Sequence, residues 1–188
     1  METIDILCAE HRIIERTLTA LETGTWMLSV NEPLPAGFFS EMVDLITGFA
    51  DACHHQKEEG VLFKAAGEMN DTQGNKMIAA MLHEHELARS YTNALRQATQ
   101  RLLDGDKKAS SDLINQSRHY TALLRNHIAM EDKFVFPYIA QILPSERIAE
   151  IDHLAELDSQ AQSEIDDRGK YISLVEHLEK QVWITPQE

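Results

Sequence analysis

Cysteine is nearly absent from this sequence of 188 residues, which holds Cys8 and Cys53 alone. Two thiols 45 positions apart make neither a disulfide framework nor a CxxC site, so both are expected to be reduced, as small core fillers near whatever site the chain carries. Aromatic residues are scarce at 6%, and there are only 8 glycines and 5 prolines. That leaves few turn signals and long stretches of good helix formers, which excludes a β-rich chain and predicts an all-α protein. No uncharged apolar run approaches the ~18 residues of a membrane span, and the opening METIDILCAEH lacks the basic and apolar regions of a secretory signal, so a cytoplasmic location away from membranes is expected. Basic residues are also outnumbered, 17 against 31 acids, for a formal charge of −14. Such a balance repels phosphate backbones and anionic lipid, which argues against a nucleic-acid partner.

What is present is helical periodicity. Ile4, Leu7, Cys8, His11, Ile14, Leu18, Leu21, Thr25 and Leu28 recur at helical spacing and predict a helix from about Thr3 to Val30, ended by NEPLPAG. A second is predicted over Gly37 to Ala66, through Val43, Ile46, Ala50, His54, Glu58, Val61 and Ala65. A third covers Lys76 to Leu103, through Ile78, Met81, Leu82, His85, Ala88, Thr92, Leu95, Thr99 and Leu102, and stops at Asp104-Gly105-Asp106. A fourth covers Ala109 to Leu143, through Leu113, Tyr120, Leu124, His127, Glu131 and Phe134, with a kink expected at Pro137. Short connections make this an up-down-up-down four-helix bundle over residues 1–143. A weaker helix from Ser145 to Arg168, interrupted by Gly169, and a short amphipathic helix through Tyr171, Leu174, Leu178 and Val182 form an extension over 144–188, expected to pack on the same domain.

The stripes contain what a bundle core does not accept without compensation: His11, His54, Glu58, His85, His127 and Glu131 occupy positions suited to Leu or Ile. Helices two and four carry one device, a histidine four residues before a glutamate (His54 to Glu58, His127 to Glu131), which places imidazole and carboxylate one above the other on one face. Helices one and three carry another, Glu10-His11 and Glu84-His85, each followed by a leucine at Leu21 and Leu95. The chain reads as a helix pair used twice, which brings four imidazoles and two carboxylates to one level. Six nitrogen and oxygen donors without thiolate suit two first-row transition ions, with iron favoured and manganese or zinc compatible. His55 is a candidate seventh ligand, with a boundary imidazole as the alternative, because it lies about 100° round the helix from His54. Glu10 and Glu84 read equally as imidazole partners or as solvated acids, Tyr120 as a core residue near the site, and His83, His119, His153 and His177 as surface residues.

The segments AEHRIIE (9–15), CHHQKEEGVLF (53–63), LHEHELAR (82–89) and HIAMEDKFVFP (127–137), in this order, resemble the hemerythrin-like HHE cation-binding family. The resemblance implies a four-helix bundle with a non-haem di-iron centre bridged by two carboxylates, reacting with dioxygen, peroxide or nitric oxide. It makes His11, His54, His85 and His127 terminal ligands and Glu58 and Glu131 bridges, with His55 at a position where some members add a ligand. Oxygen-carrying hemerythrins place a second histidine four residues from the third-helix ligand, but here those positions hold Met81 and Arg89, which weighs against reversible oxygen carriage. Binding, sensing or detoxifying a small oxidant is the leading expectation. A di-iron oxidoreductase that decomposes peroxide or reduces nitric oxide, and iron storage or donation, are the alternatives. The sequence leaves oligomeric state and turnover open.

Overall fold

The computed structural model describes residues 1–163 and 167–182, with the side chains of 156–168 left aside. No strand occurs among the described residues, which form six helices. Helix α1 is Glu2–Ser29, α2 runs over 38–67, α3 is Thr72–Leu103, α4 runs over 109–142, α5 is Ser145–Ser163 and α6 is Asp167–Val182. None is long and apolar enough to cross a membrane.

The hydrophobic residues form two clusters, one on either side of the polar level. Leu7 of α1, Leu62 and Phe63 of α2, Ile78 and Met81 of α3, and Val135, Phe136 and Ile139 of α4 make the first. The second contains Ile14, Leu18 and Leu21 of α1, Phe49 and Ala50 of α2, Ala88 and Leu95 of α3, and Leu113, Tyr120 and Leu124 of α4. Successive helices therefore run between the clusters in alternating senses. The apolar burial on both sides holds the backbone around the polar layer, since each buried Leu, Ile or Phe is worth about 1.5–3 kcal/mol.

Helix ends follow local chemistry. Helix α3 begins four residues earlier than the periodicity suggests because the Asp71 side chain accepts from the Gly74 backbone N–H, capping the first turn. It ends where Gly105 takes φ +92°, a conformation that costs glycine nothing. Helix α6 runs through Gly169, which was expected to interrupt it. One helical glycine costs only about 1 kcal/mol, and Val175, Leu178 and Val182 offset that by burial in the second cluster. Gly48 allows the docking: a Cβ there would lie 2.2 Å from the Tyr171 hydroxyl. Leu157, part of the expected α5 pattern, lies outside the described side chains.

The main departure from regular helix is π-turn geometry, in Ile46–His55 and Glu58–Phe63 of α2 and Glu131–Val135 of α4. These i→i+5 turns are wider, so each residue advances less around the axis and the stripe shifts phase. Phe134, expected inward, is 55% exposed, while Val135 and Phe136 are buried in its place. Pro137 falls in the first turn after the π segment, where its missing N–H is more easily accommodated. Leu82 is also at the surface, flanking a buried line that passes through Ile78, Met81 and His85.

Candidate metal centre

Between the two apolar clusters, His11, His54, His55, Glu58, His85, His127 and Glu131 meet, none more than 2% exposed. Their donor atoms fall into two groups, His55, Glu58, His85 and His127 in one and His11, His54, Glu58 and Glu131 in the other, each within 4.8 Å of one another. Glu58 belongs to both. Its Oε1 lies 3.2 Å from His54 Nε2, and its Oε2 lies 3.4 Å from His85 Nε2. Glu131 Oε2 stands 3.2 Å from His11 Nε2 and 3.2 Å from His127 Nε2, so it too faces both groups. The two carboxylates lie between two sets of imidazoles.

His55 completes the second set. The π-turn through Ile46–His55 reduces the rotation between neighbours, so adjacent His54 and His55 both turn inward, one to each group. His55 stacks on His85 with ring centroids 3.9 Å apart and planes 15° from parallel. It thus stands beside the third-helix histidine, whose own helix offers Met81 and Arg89 one turn away.

These donors are buried and unsatisfied. His11 Nε2, His54 Nε2, both ring nitrogens of His55 and both oxygens of Glu58 and of Glu131 have no hydrogen-bond partner. The short approaches among them lack hydrogen-bond alignment and converge on shared points. Each such group costs about 1–3 kcal/mol when left unpaired, and native proteins keep few of them. Eight concentrated at one level, all nitrogen or oxygen, fit bound cations and little else.

The opposite ring nitrogens are held by acids. Nδ1 of His11 lies 2.7 Å from Asp132, Nδ1 of His54 3.0 Å from Glu10, Nδ1 of His85 2.7 Å from Glu59 and Nδ1 of His127 2.9 Å from Glu84. His55 Nδ1 faces Asp51 at a looser 3.6 Å. A carboxylate on Nδ1 fixes the proton there and leaves the Nε2 lone pair pointing at the centre, the usual arrangement behind a metal-bound imidazole. Cations brace the acids in turn: Lys57 pairs with Glu10, Arg12 with Asp132, and Arg89 with both Asp51 and Glu59.

The model of the hemerythrin HHE cation-binding domain matches residues 2–139. This chain belongs to that family. Among curated proteins it is similar to the uncharacterized proteins Rv1995 and MT2051 of Mycobacterium tuberculosis (strains H37Rv and CDC 1551) and Mb2018 of Mycobacterium bovis. Each is 26% identical over 140 residues, covering 73% of this chain and 53% of the relative. The chain thus spans about half the length of the curated relatives it matches. No solved structure matches it. Membership makes this hemerythrin HHE domain a cation-binding one, and its buried histidine and glutamate groups fit that binding.

Without a cation the cluster of the HHE domain balances itself with protons. Burial opposes charge on His54, but Glu58 and Glu10 overcome it and hold the imidazole at about 10. Burial likewise opposes charge on His127, and Glu131 with Glu84 again raises it to about 10. For His55, burial wins and lowers it to about 4, Asp51 only partly opposing. Against burial, His54 and His85 keep Glu58 well below the usual carboxylate range. Charge on His54 and His127 thus offsets Glu58 and Glu131, and His11 is raised as well, Asp132 and Glu131 overcoming its burial. A histidine raised by folding stabilises fully below its unfolded value of about 6.5 and loses that contribution as pH rises through its folded value. The metal-free domain should therefore melt at progressively lower temperature from pH 6.5 towards 10. His55, lowered by folding, contributes in the opposite sense and loses its share as pH falls from about 6.5 towards 4. Calorimetry of chelator-treated protein across this range checks both limbs; a flat profile above pH 6.5 would exclude charged His54 and His127.

Sequence reasoning brought six residues to this level, with His55 as a candidate seventh, and missed most of the acids and cations behind them. Glu10 and Glu84 do hold imidazoles, but across helices, on His54 and His127, and not on their sequence neighbours His11 and His85. Asp132 and Glu59 were legible in one respect: each directly follows a glutamate of the cluster, Glu131 or Glu58, and reaches the histidine of another helix. Cys8 is half-buried with its thiol on Asp132, Cys53 packs against the second cluster, and Tyr120 is buried within it. His83, His119, His153 and His177 are exposed.

Proposed function

We propose that this HHE domain holds two non-haem iron ions and uses them to bind, sense or detoxify a small oxidant such as dioxygen, peroxide or nitric oxide. The observation that carries the reading is the division of the buried donors, most of them without hydrogen-bond partners, into two groups that share Glu58. One group offers three imidazoles, His55, His85 and His127, and the other offers two, His11 and His54. With Glu58 and Glu131 facing both, the His11–His54 side has one donor fewer, which leaves it the more open position for a small ligand. The donor set of nitrogen and oxygen without thiolate favours iron, with manganese and zinc compatible. Cys8 stands outside both of these groups, behind His11 with its thiol on Asp132.

A pair of iron ions supplies reversible electron transfer to a bound small molecule. The chain's own residues hold the imidazoles in one tautomer through Asp132, Glu10, Glu59 and Glu84. They also exclude bulk water: Phe136 stacks on His11 with centroids 5.5 Å apart, and Leu7 and Leu62 are fully buried on the same side.

Anaerobic reconstitution with ferrous iron followed by metal analysis should give about two irons per chain, because seven nitrogen and oxygen donors exceed what one ion needs. A reproducible plateau at one would overturn the reading. Subsequent exposure to air separates the roles: a persistent charge-transfer band supports binding or sensing, and rapid multi-turnover loss of added peroxide supports an enzyme.

A further inference from the structure

Arg89 occupies the third-helix position, one turn beyond His85, and its guanidinium reaches two of the acids behind the centre at once. Nε donates to Asp51 Oδ1 at 2.8 Å and Nη2 donates to Glu59 Oε1 at 2.6 Å. Those same two oxygens face the cluster. Glu59 Oε1 accepts from His85 Nδ1 at 2.7 Å, and Asp51 Oδ1 lies 3.6 Å from His55 Nδ1. The two imidazoles so addressed are the stacked pair, in the same donor group.

We propose that Arg89 is a positioning residue for one ion only, the one facing His55, His85 and His127, which it serves by clamping Asp51 and Glu59 at a fixed separation behind His55 and His85. The proposal rests on the two-ion reading above and deepens it. Three features carry it. Asp51 and Glu59 lie on α2 and Arg89 on α3, so a single rigid fork ties the helix that supplies His55 to the helix that supplies His85. The planar guanidinium presents N–H donors in fixed directions, which a lysine ammonium, a point charge on a flexible stem, does not reproduce. The other donor group relies on different cations, Lys57 behind Glu10 and Arg12 behind Asp132, and Arg89 touches neither. The loose Asp51–His55 approach makes the brace matter most for His55, which has no hydrogen bond of its own to fix its ring.

The test is ferrous iron titrated anaerobically into the full chain, wild type against Arg89→Gln and Arg89→Lys, with Arg96→Gln, an exposed α3 arginine on Thr47 and Asn93, as the control. Arg89→Gln should bind one ion as wild type does and the other about 10–100-fold more weakly, the usual penalty for losing support behind a ligand. Arg89→Lys, which keeps bulk and charge, should fall between the two, and it serves alone if the glutamine variant loses helicity. A mutant cycle identifies the ion. Arg89→Gln added to the His55→Ala, His85→Ala double variant should weaken binding no further, whereas added to His11→Ala it should impose its full penalty. Two ions bound by both Arg89 variants with wild-type affinity, or equal weakening of both ions, would overturn the role of Arg89 and leave the two-ion reading standing. A wild-type plateau at one ion would overturn that reading, and this inference with it.

Discussion

Glu58→Ala should abolish stable binding of both ions together, weakening each by at least about 100-fold, more than the loss of a supporting residue would. Glu58 is the one residue common to both donor groups, and its two oxygens face opposite ways, Oε1 to His54 and Oε2 to His85. Its removal would take a donor from each of the two proposed ions and the connection between them. Glu131→Ala should also reach both, through His11 and His127, with the larger loss on the His11–His54 side to which its group belongs. Glu68→Ala is the control, since Glu68 is exposed and pairs with Arg147 at the surface. Metal content after desalting, measured on all three variants, decides it. Equal loss in all three would show that acidity in general, and not these carboxylates, holds the metal.

The second large effect is on stability. Eight nitrogen and oxygen atoms of the cluster are buried without hydrogen-bond partners, and anything that binds the native state better than the unfolded chain raises its melting temperature by mass action. Iron-loaded protein should melt well above the metal-free form, by about 10 °C or more if two ions bind tightly relative to their concentration. The metal-free chain should remain helical, because the clusters around Leu18 and Phe49 on one side and Leu62 and Phe136 on the other do not involve the donors. His127→Leu should lose metal and lower the melting temperature of the metal-free form further at neutral pH, since the imidazolium that offsets Glu131 is gone while the carboxylate stays buried. Glu84 also loses that partner, and the added loss shrinks as pH rises towards 10, where His127 gives up its charge. Thermal melts of both proteins with and without iron check this; identical wild-type curves would argue against a buried metal site.

The four long helices and the polar residues on their inner stripes were legible because 3.6-residue periodicity is a strong signal, and because His54 to Glu58 and His127 to Glu131 repeat one spacing. Periodicity assumes a uniform turn, and failed where the turn widens. Phe134 was placed inward by counting past Glu131 as though the helix continued regularly, and His55 was placed on the edge of its stripe for the same reason. The acids behind the histidines were hidden by a different limit. Beside His11, Glu10 read equally as an imidazole partner or a solvated acid, because side chains on neighbouring positions of a helix diverge, and its partner comes from α2. Arg89 was noticed only as a missing ligand, since the acids it clamps lie on α2, some 30 or more positions earlier in the chain.

That exchange of partners between helices bears on how the site comes into being. His11 takes its acid from α4, His54 from α1, His85 from α2 and His127 from α3, so the four orienting contacts close a ring around the bundle. A fragment that formed α1 and α2 alone would hold four of the seven donors with only His54 correctly supported by the neighbouring helix. Secondary structure alone therefore confers no finished fraction of the centre. Closing the ring takes all four helices, so tight metal capture is expected only once the whole assembly has docked, and a bound cation would report that closure.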